Sequence, residues 1–158
     1  MSRQLFTSWA EYQAAVDRAL SLATRSICIY DEDLTQLHFE RDGRTDRLRE
    51  FLAAGHPDSL RVALRNSAPL QQRQPMTMSV LTRFSHIAQA KQTADQLAHL
   101  RDAMVIVDER HAVIRFDRDQ PRSKLLEDDP DEVAPYLRRF NEIWDEGGNV
   151  IGPTTLGL

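Results

Sequence analysis

Residues 99–116 read His-Leu-Arg-Asp-Ala-Met-Val-Ile-Val-Asp-Glu-Arg-His-Ala-Val-Ile-Arg-Phe. Two apolar runs, 103–107 and 112–116, flank a polar turn at Asp108, Glu109 and Arg110, which is the pattern of a β-hairpin. A carboxylate, Asp108, follows the first run at once. The stretch therefore predicts two antiparallel strands and a tight turn, with charged groups gathered at their ends.

Upstream, Ser8-Trp9-Ala10-Glu11 is a capping box. Tyr12, Val16, Ala19, Leu20 and Ala23 follow at helical spacing, which predicts an amphipathic helix over 9–24. Residues 26–30 read as a buried strand with Cys28 inside it. That strand runs into Asp31-Glu32-Asp33, at the carboxyl end where open α/β sheets place ligands; the same triplet also suits a solvated loop. Thr45 caps a second helix through Leu48, Phe51 and Leu52, stopped by Gly55 and Pro57. Leu60, Val62 and Leu64 alternate with Arg61 and Arg65 in a second strand. Residues 67–75 read as a loop, and 76–91 as a helix through Val80, Leu81, Phe84, Ile87 and Ala88. Downstream, 121–131 reads as an acidic linker. Val133, Tyr136, Leu137, Phe140, Ile143 and Trp144 then form the apolar stripe of a closing helix, stopped by Gly147-Gly148, with Pro135 in its first turn or kinking it.

Strand, helix, strand order predicts an α/β fold: a mostly parallel mixed sheet flanked by helices, with the hairpin as its antiparallel addition. The chain of 158 residues, 41% hydrophobic and 28% charged, suits a single domain, placed over 1–148 with an irregular tail at 149–158. No stretch approaches the roughly 20 apolar residues of a membrane span, and the start lacks the layout of a signal peptide, so a cytoplasmic protein is expected. One cysteine excludes an internal disulfide framework and a zinc site built on several thiolates. A net charge of -4 argues against a surface that wraps nucleic acid as a whole, while leaving room for a local arginine patch. Lys91 and Lys124 are the only lysines, and guanidinium forks suit phosphate and carboxylate.

Taken in order, this set of elements resembles one half of the phospholipase D-like fold over residues 8–146, most specifically in Met104-Val105-Ile106-Val107-Asp108 and Phe140-Asn141-Glu142-Ile143-Trp144. It also resembles an uncharacterised bacterial family built on a degenerate form of that half. The resemblance implies a working motif His-x-Lys-x-x-x-x-Asp, in which His attacks phosphorus, Lys neutralises the phosphoryl oxygens and Asp supports the site. Aligned on Asp108, this chain has Arg101 at the His position and Ala103 at the Lys position. Arginine is no nucleophile and alanine carries no charge. A shift of two residues puts His99 and Arg101 in those roles. It displaces the imidazole by about 6 to 7 Å, against a catalytic tolerance of about 0.5 Å. The family's Gly-Ser-x-Asn segment is replaced by Asp117-Arg118-Asp119-Gln120.

Two functions follow from the resemblance. The favoured one is a non-catalytic module whose former phosphate pocket, lined by His99, Arg101, Asp108, Arg115 and Arg122, holds an anionic small molecule or nucleic acid, or which binds a protein partner. The alternative is a homodimeric phosphodiesterase or nuclease in which His99 and Arg101 of each chain face a shared cleft, as in single-motif members of the family. Arg101 with Asp102, and Arg115 with Asp108, also read as cross-strand ion pairs. No cofactor is implied. No metal is assigned, because His38, His56, His86 and His111 lack ligand spacing, although Asp31, Asp33, Asp108, Asp117 and Asp119 gathered at one sheet edge would permit a divalent ion.

Overall fold

The computed structural model describes residues 2–41 and 43–152. The capping box forms as expected: the Ser8 hydroxyl accepts from the Glu11 N–H at 3.1 Å, and the Glu11 carboxylate accepts from the Ser8 hydroxyl and the Thr7 N–H. It opens α1, Trp9–Leu22, which follows an edge strand β1, Ser2–Phe6. The chain continues through β2 (Ile27–Asp31), α2 (Arg44–Ala53), β3 (Leu60–Leu64), α3 (Ala68–Arg73), α4 (Pro75–Arg83) and β4 (Ala88–Thr93). The hairpin is β5 (Ala103–Val107) and β6 (His111–Asp117), followed by β7 (Gln120–Glu127), α5 (Pro130–Asp145) and β8 (Gly148–Val150).

These strands form one mixed sheet in the order β1-β7-β6-β5-β2-β3-β4-β8. Helices α1 to α4 cover one face, with Tyr12, Val16, Leu48, Leu52, Leu70 and Val80 packed on Ile29, Val62 and Val105. Helix α5 covers the other through Val133, Phe140 and Ile143, on Cys28, Tyr30, Met104, Ile106 and Ile114. The α/β class and the mixed sheet flanked by helices agree with the sequence reading. Its parallel part is confined to β2, β3 and β4, and the other described ladders are antiparallel.

Several local expectations are corrected. Residues 67–75 form α3 and the start of α4, because Pro69 and Pro75 occupy first-turn positions that need no N–H, and proline there starts a helix instead of breaking one. The carboxylate of Glu40 holds the start of α4, accepting from Met76 N–H at 3.1 Å, Thr77 N–H at 2.8 Å and the Thr77 hydroxyl at 2.7 Å. The helix expected over 76–91 stops at Arg83, and its last residues are β4: Ile87 and Ala88 continue helical spacing from Phe84, while Ala88 and Ala90 alternate as a strand and face the α1 side of the sheet. Thr45 lies inside α2, with Gly43 at φ 73° as its N-cap, and the Thr45 hydroxyl donates to the Phe39 carbonyl. The linker expected over 121–131 is largely β7, a strand with Ser123, Leu125 and Leu126 buried beneath polar neighbours.

The tail expected over 149–158 begins inside β8, which pairs with β4, and the Ile151 N–H donates to the Ala90 carbonyl at 2.8 Å. A Cβ on Gly148 (φ +121°) would stand 2.0 Å from the Gln92 carbonyl oxygen, so glycine is required where β8 meets β4. The remainder, 153–158, lies outside the described residues. Among those described, no helix is long and apolar enough to cross a membrane.

Candidate functional site

Because β5 starts and β6 ends beside the carboxyl end of β2, the sheet collects charged groups at one edge. Strand register pairs Ala103 with Arg115 and Tyr30 with Met104, which sets Asp31, Ala103 and Arg115 at one level. Arg115 and Asp31 are 1% and 2% exposed, beneath α1. Arg115 Nη2 donates to Asp31 Oδ1 at 3.0 Å, and the guanidinium lies 4.9 Å from the Tyr12 ring centroid and 5.6 Å from that of Trp9. The Glu32 N–H donates to the same Asp31 oxygen at 2.7 Å. Burial pushes the Asp31 carboxyl above its ordinary value, with Arg115 pulling the other way. Burial likewise pushes the Tyr12 phenol upward.

On the α5 side of the same edge, Glu32 bridges Arg65 at 2.9 Å and Arg118 at 2.8 Å. Burial alone would raise the Glu32 carboxyl, but these two guanidinium donors outweigh it and hold it below the usual range. Arg65 also donates to the Asp102 carbonyl at 2.8 Å, and Arg139 forks onto the Asp102 carboxylate. The Tyr30 ring has Arg65 over it at 4.8 Å and Arg139 at 5.6 Å. Further out, Arg101 forks onto Asp117 at 2.7 and 3.0 Å and reaches Asp119 as well. Each of these arginines therefore already holds a carboxylate of this chain.

The expected site residues are placed as follows. Arg101 and Arg115 lie at this edge, though paired with Asp117 and Asp31, not with Asp102 and Asp108 as the sequence suggested. His99 is exposed in the turn that precedes β5. Arg122 is on the opposite face of the sheet from Arg115, since its neighbour Ser123 pairs with Arg115; it stacks over Phe116 at 5.6 Å. Asp108 is at the far end of the sheet. There it accepts from the N–H groups of Thr24 at 3.0 Å, Arg25 at 2.8 Å and Ser26 at 3.0 Å, and from the Thr24 hydroxyl. Consequently the five aspartates do not converge, and among the described residues no three His, Cys, Asp or Glu side chains form a metal-binding group. Arg139 was not singled out in the sequence, and Glu32, Arg65, Asp102 and Arg118 were named there without this network between them. Arg115 was the available signal: a charge on the core-facing side of an apolar strand needs a buried partner.

These pairs set an acid response. The Arg101 fork, aided by the Asp119 N–H, holds Asp117 at about 2. A carboxyl depressed in the folded state contributes stability that is present above its unfolded value and is lost as pH falls through the folded one. Arg18 and Arg110 depress Glu127 and Asp128 in the same sense. Asp31, raised by burial, works oppositely and gains as pH falls. The thermal midpoint is expected to drop between about pH 4 and pH 2, and Asp117→Asn should make that drop shallower. An identical acid limb in wild type and variant would remove the Arg101–Asp117 fork from this account.

Residues 8–151 match the model of a domain of unknown function, DUF7931. The chain belongs to the DUF7931 family. No curated protein matches the sequence. Among solved structures, this DUF7931 chain is similar to TrmBL2, an archaeal chromatin protein with a novel mode of DNA binding, at 15% identity and a TM-score of 0.69. That match covers 95% of this chain and 55% of TrmBL2, so the chain spans about half of it. Nuc from Salmonella typhimurium, a phospholipase D family member, matches at 14% identity and a TM-score of 0.65, over 96% of this chain and 98% of Nuc. NucT from Helicobacter pylori matches at 13% and 0.64, over the same shares of the two chains. The DUF7931 chain thus has the phospholipase D-like fold, and at these identities the likeness extends to the fold alone.

Proposed function

We propose that this chain is a non-catalytic phospholipase D-fold module that works by binding a partner. The observation that carries the reading is the buried Arg115–Asp31 pair beside Ala103. At the level where the family resemblance places a phosphate-neutralising lysine there is a methyl group, and the cation next to it is already neutralised by an internal carboxylate. Arg101, at the aligned His position, has no nucleophilic lone pair and is forked onto Asp117. An anion seated on Arg101 competes with Asp117, and one on Arg115, whose Nε and Nη1 lack a hydrogen-bond partner among the described residues, would have to enter a site that is 1% exposed and already holds the Asp31 carboxylate. The DNA binding of TrmBL2 transfers poorly for the same reason, and because this chain carries a net charge of -4.

The test is a phosphodiesterase assay with bis-(p-nitrophenyl) phosphate and single-stranded DNA, on wild type and His99→Ala. No turnover above buffer is expected from either. Turnover that disappears in His99→Ala would replace this reading with the homodimeric phosphodiesterase. Phosphate added to a thermal melt should leave the midpoint unmoved, whereas a bound anion at a hundredfold excess over its Kd would add about 2.7 kcal/mol.

A further inference from the structure

Helix α5 is the one α-helix on its side of the sheet among the described residues, and it lies over β4, β5 and β6. Strands spaced about 4.8 Å apart make this sheet about 34 Å wide, whereas a helix with its side chains is about 10 Å across. The flank formed by β1 and the start of β7 is consequently little covered on that side, although α5 reaches the buried Leu126 of β7 and, through Tyr136, Lys124. Register assigns its side chains: Leu5 stands opposite Lys124, and Arg3 opposite Leu126, which belongs to the α5-side core. Arg3, Leu5, Arg122 and Lys124 therefore share this face with Phe116. Leu5 is 65% exposed and Phe116 42%. Arg122 lies over the Phe116 ring at 5.6 Å and Lys124 over the Tyr136 ring at 4.9 Å.

Two properties of this flank point to its occupant. Among the described residues, Arg3, Arg122 and Lys124 have no carboxylate partner, unlike the arginines at the carboxyl end of β2, so the flank is a positive, apolar tract on a chain of net charge -4. Beyond β1 no described strand follows, which leaves a row of backbone N–H and C=O groups open to pairing. We propose that the β1 edge takes up an acidic segment of a partner protein as an added strand, its carboxylates on Arg3, Arg122 and Lys124 and its apolar side chains on Leu5 and Phe116. A second copy of this chain is the poorer occupant, since pairing β1 with β1 brings two sets of the same unpaired cations together. The inference rests on the reading of the chain as a binding module and names the chemistry of its partner.

Titration of 15N-labelled protein with a synthetic peptide of about ten residues alternating Glu with Val tests it, with a Lys-for-Glu peptide as control. The acidic peptide alone should shift the amides of Arg3, Gln4, Leu5 and Phe6 and slow their exchange. Arg122→Glu with Lys124→Glu should weaken binding about tenfold or more, with circular dichroism and thermal midpoint unchanged; Arg3→Glu serves as a second variant if that pair perturbs folding. An equal response to the Lys peptide, unmoved β1 amides, or unchanged affinity in the folded variants would overturn the proposal. Dimerisation through β1, or tighter binding to phosphatidylglycerol vesicles than to the peptide, would reassign the flank to a second copy or to a lipid surface. Phosphodiester turnover sinks the non-catalytic reading without touching these results, and failed peptide binding leaves that reading standing.

Discussion

Asp31→Ala lowers the unfolding free energy by about 3 to 5 kcal/mol, because it strands the Arg115 guanidinium in the core without a counter-charge. Arg115 is 1% exposed, and its Nη2 has Asp31 as its charged partner at 3.0 Å. The stacking on Tyr12 and Trp9 attracts the cation, by about 2 kcal/mol or more in a desolvated setting, but it does not replace the full counter-charge of a carboxylate. The two charges are not needed for packing as such. Asp31→Leu combined with Arg115→Met should recover most of the loss, because apolar side chains of comparable volume remove both desolvation penalties at once. Urea denaturation of wild type, single and double variants measures this. A single-variant loss under about 1 kcal/mol would mean that water reaches Arg115 and that the pair does not fill the site in the way proposed.

Asp108→Ala costs about 2 to 3 kcal/mol, and for a different reason. The Asp108 carboxylate gathers three consecutive backbone N–H groups, those of Thr24, Arg25 and Ser26, together with the Thr24 hydroxyl. These donors draw its pKa down even though burial pushes it up. The same carboxylate offsets strain in the turn, where Asp108 and Glu109 hold φ of 53° and 59° and the Arg110 N–H closes onto the Val107 carbonyl at 3.1 Å. Alanine loses the acceptor and also tolerates the left-handed conformation less well than aspartate does. Amide exchange at Thr24, Arg25 and Ser26 should accelerate in Asp108→Ala, and Asp108→Asn should fall between the two proteins. Unchanged exchange at those amides would show that the loop from α1 to β2 holds without Asp108. Asp108 therefore has a structural duty at this turn.

The legible parts of the fold are those whose signal is local. The capping box at Ser8, the alternation in 60–64, the hairpin at 103–116 and the stripe of α5 each depend on contacts within a few residues, so their spacing is written in the chain. The start of β4 has the pattern of a helix because a short strand with alanines on its core side carries few branched residues to distinguish it. β7 has the pattern of a linker because its polar residues, Gln120, Arg122 and Lys124, alternate with a core side whose first buried residue is a serine. β1 and β8 are edge strands held by one ladder each, and edge strands need little hydrophobic pattern of their own.

The sequence by itself determined an α/β chain that resembles the phospholipase D-like type, since residue identities and short-range periodicity need no coordinates. The tertiary structure alone decided what each charge does. Asp31 and Arg115 are 84 residues apart, and they meet because β5 inserts antiparallel between β2 and β6. Arg122, one residue from the ladder partner of Arg115, ends on the other face and stays without a carboxylate. Charge is a property of the residue, but neutralisation is a property of the neighbours that sheet order supplies, so the arginines and carboxylates around Asp31 became ion pairs only once the strands were in place.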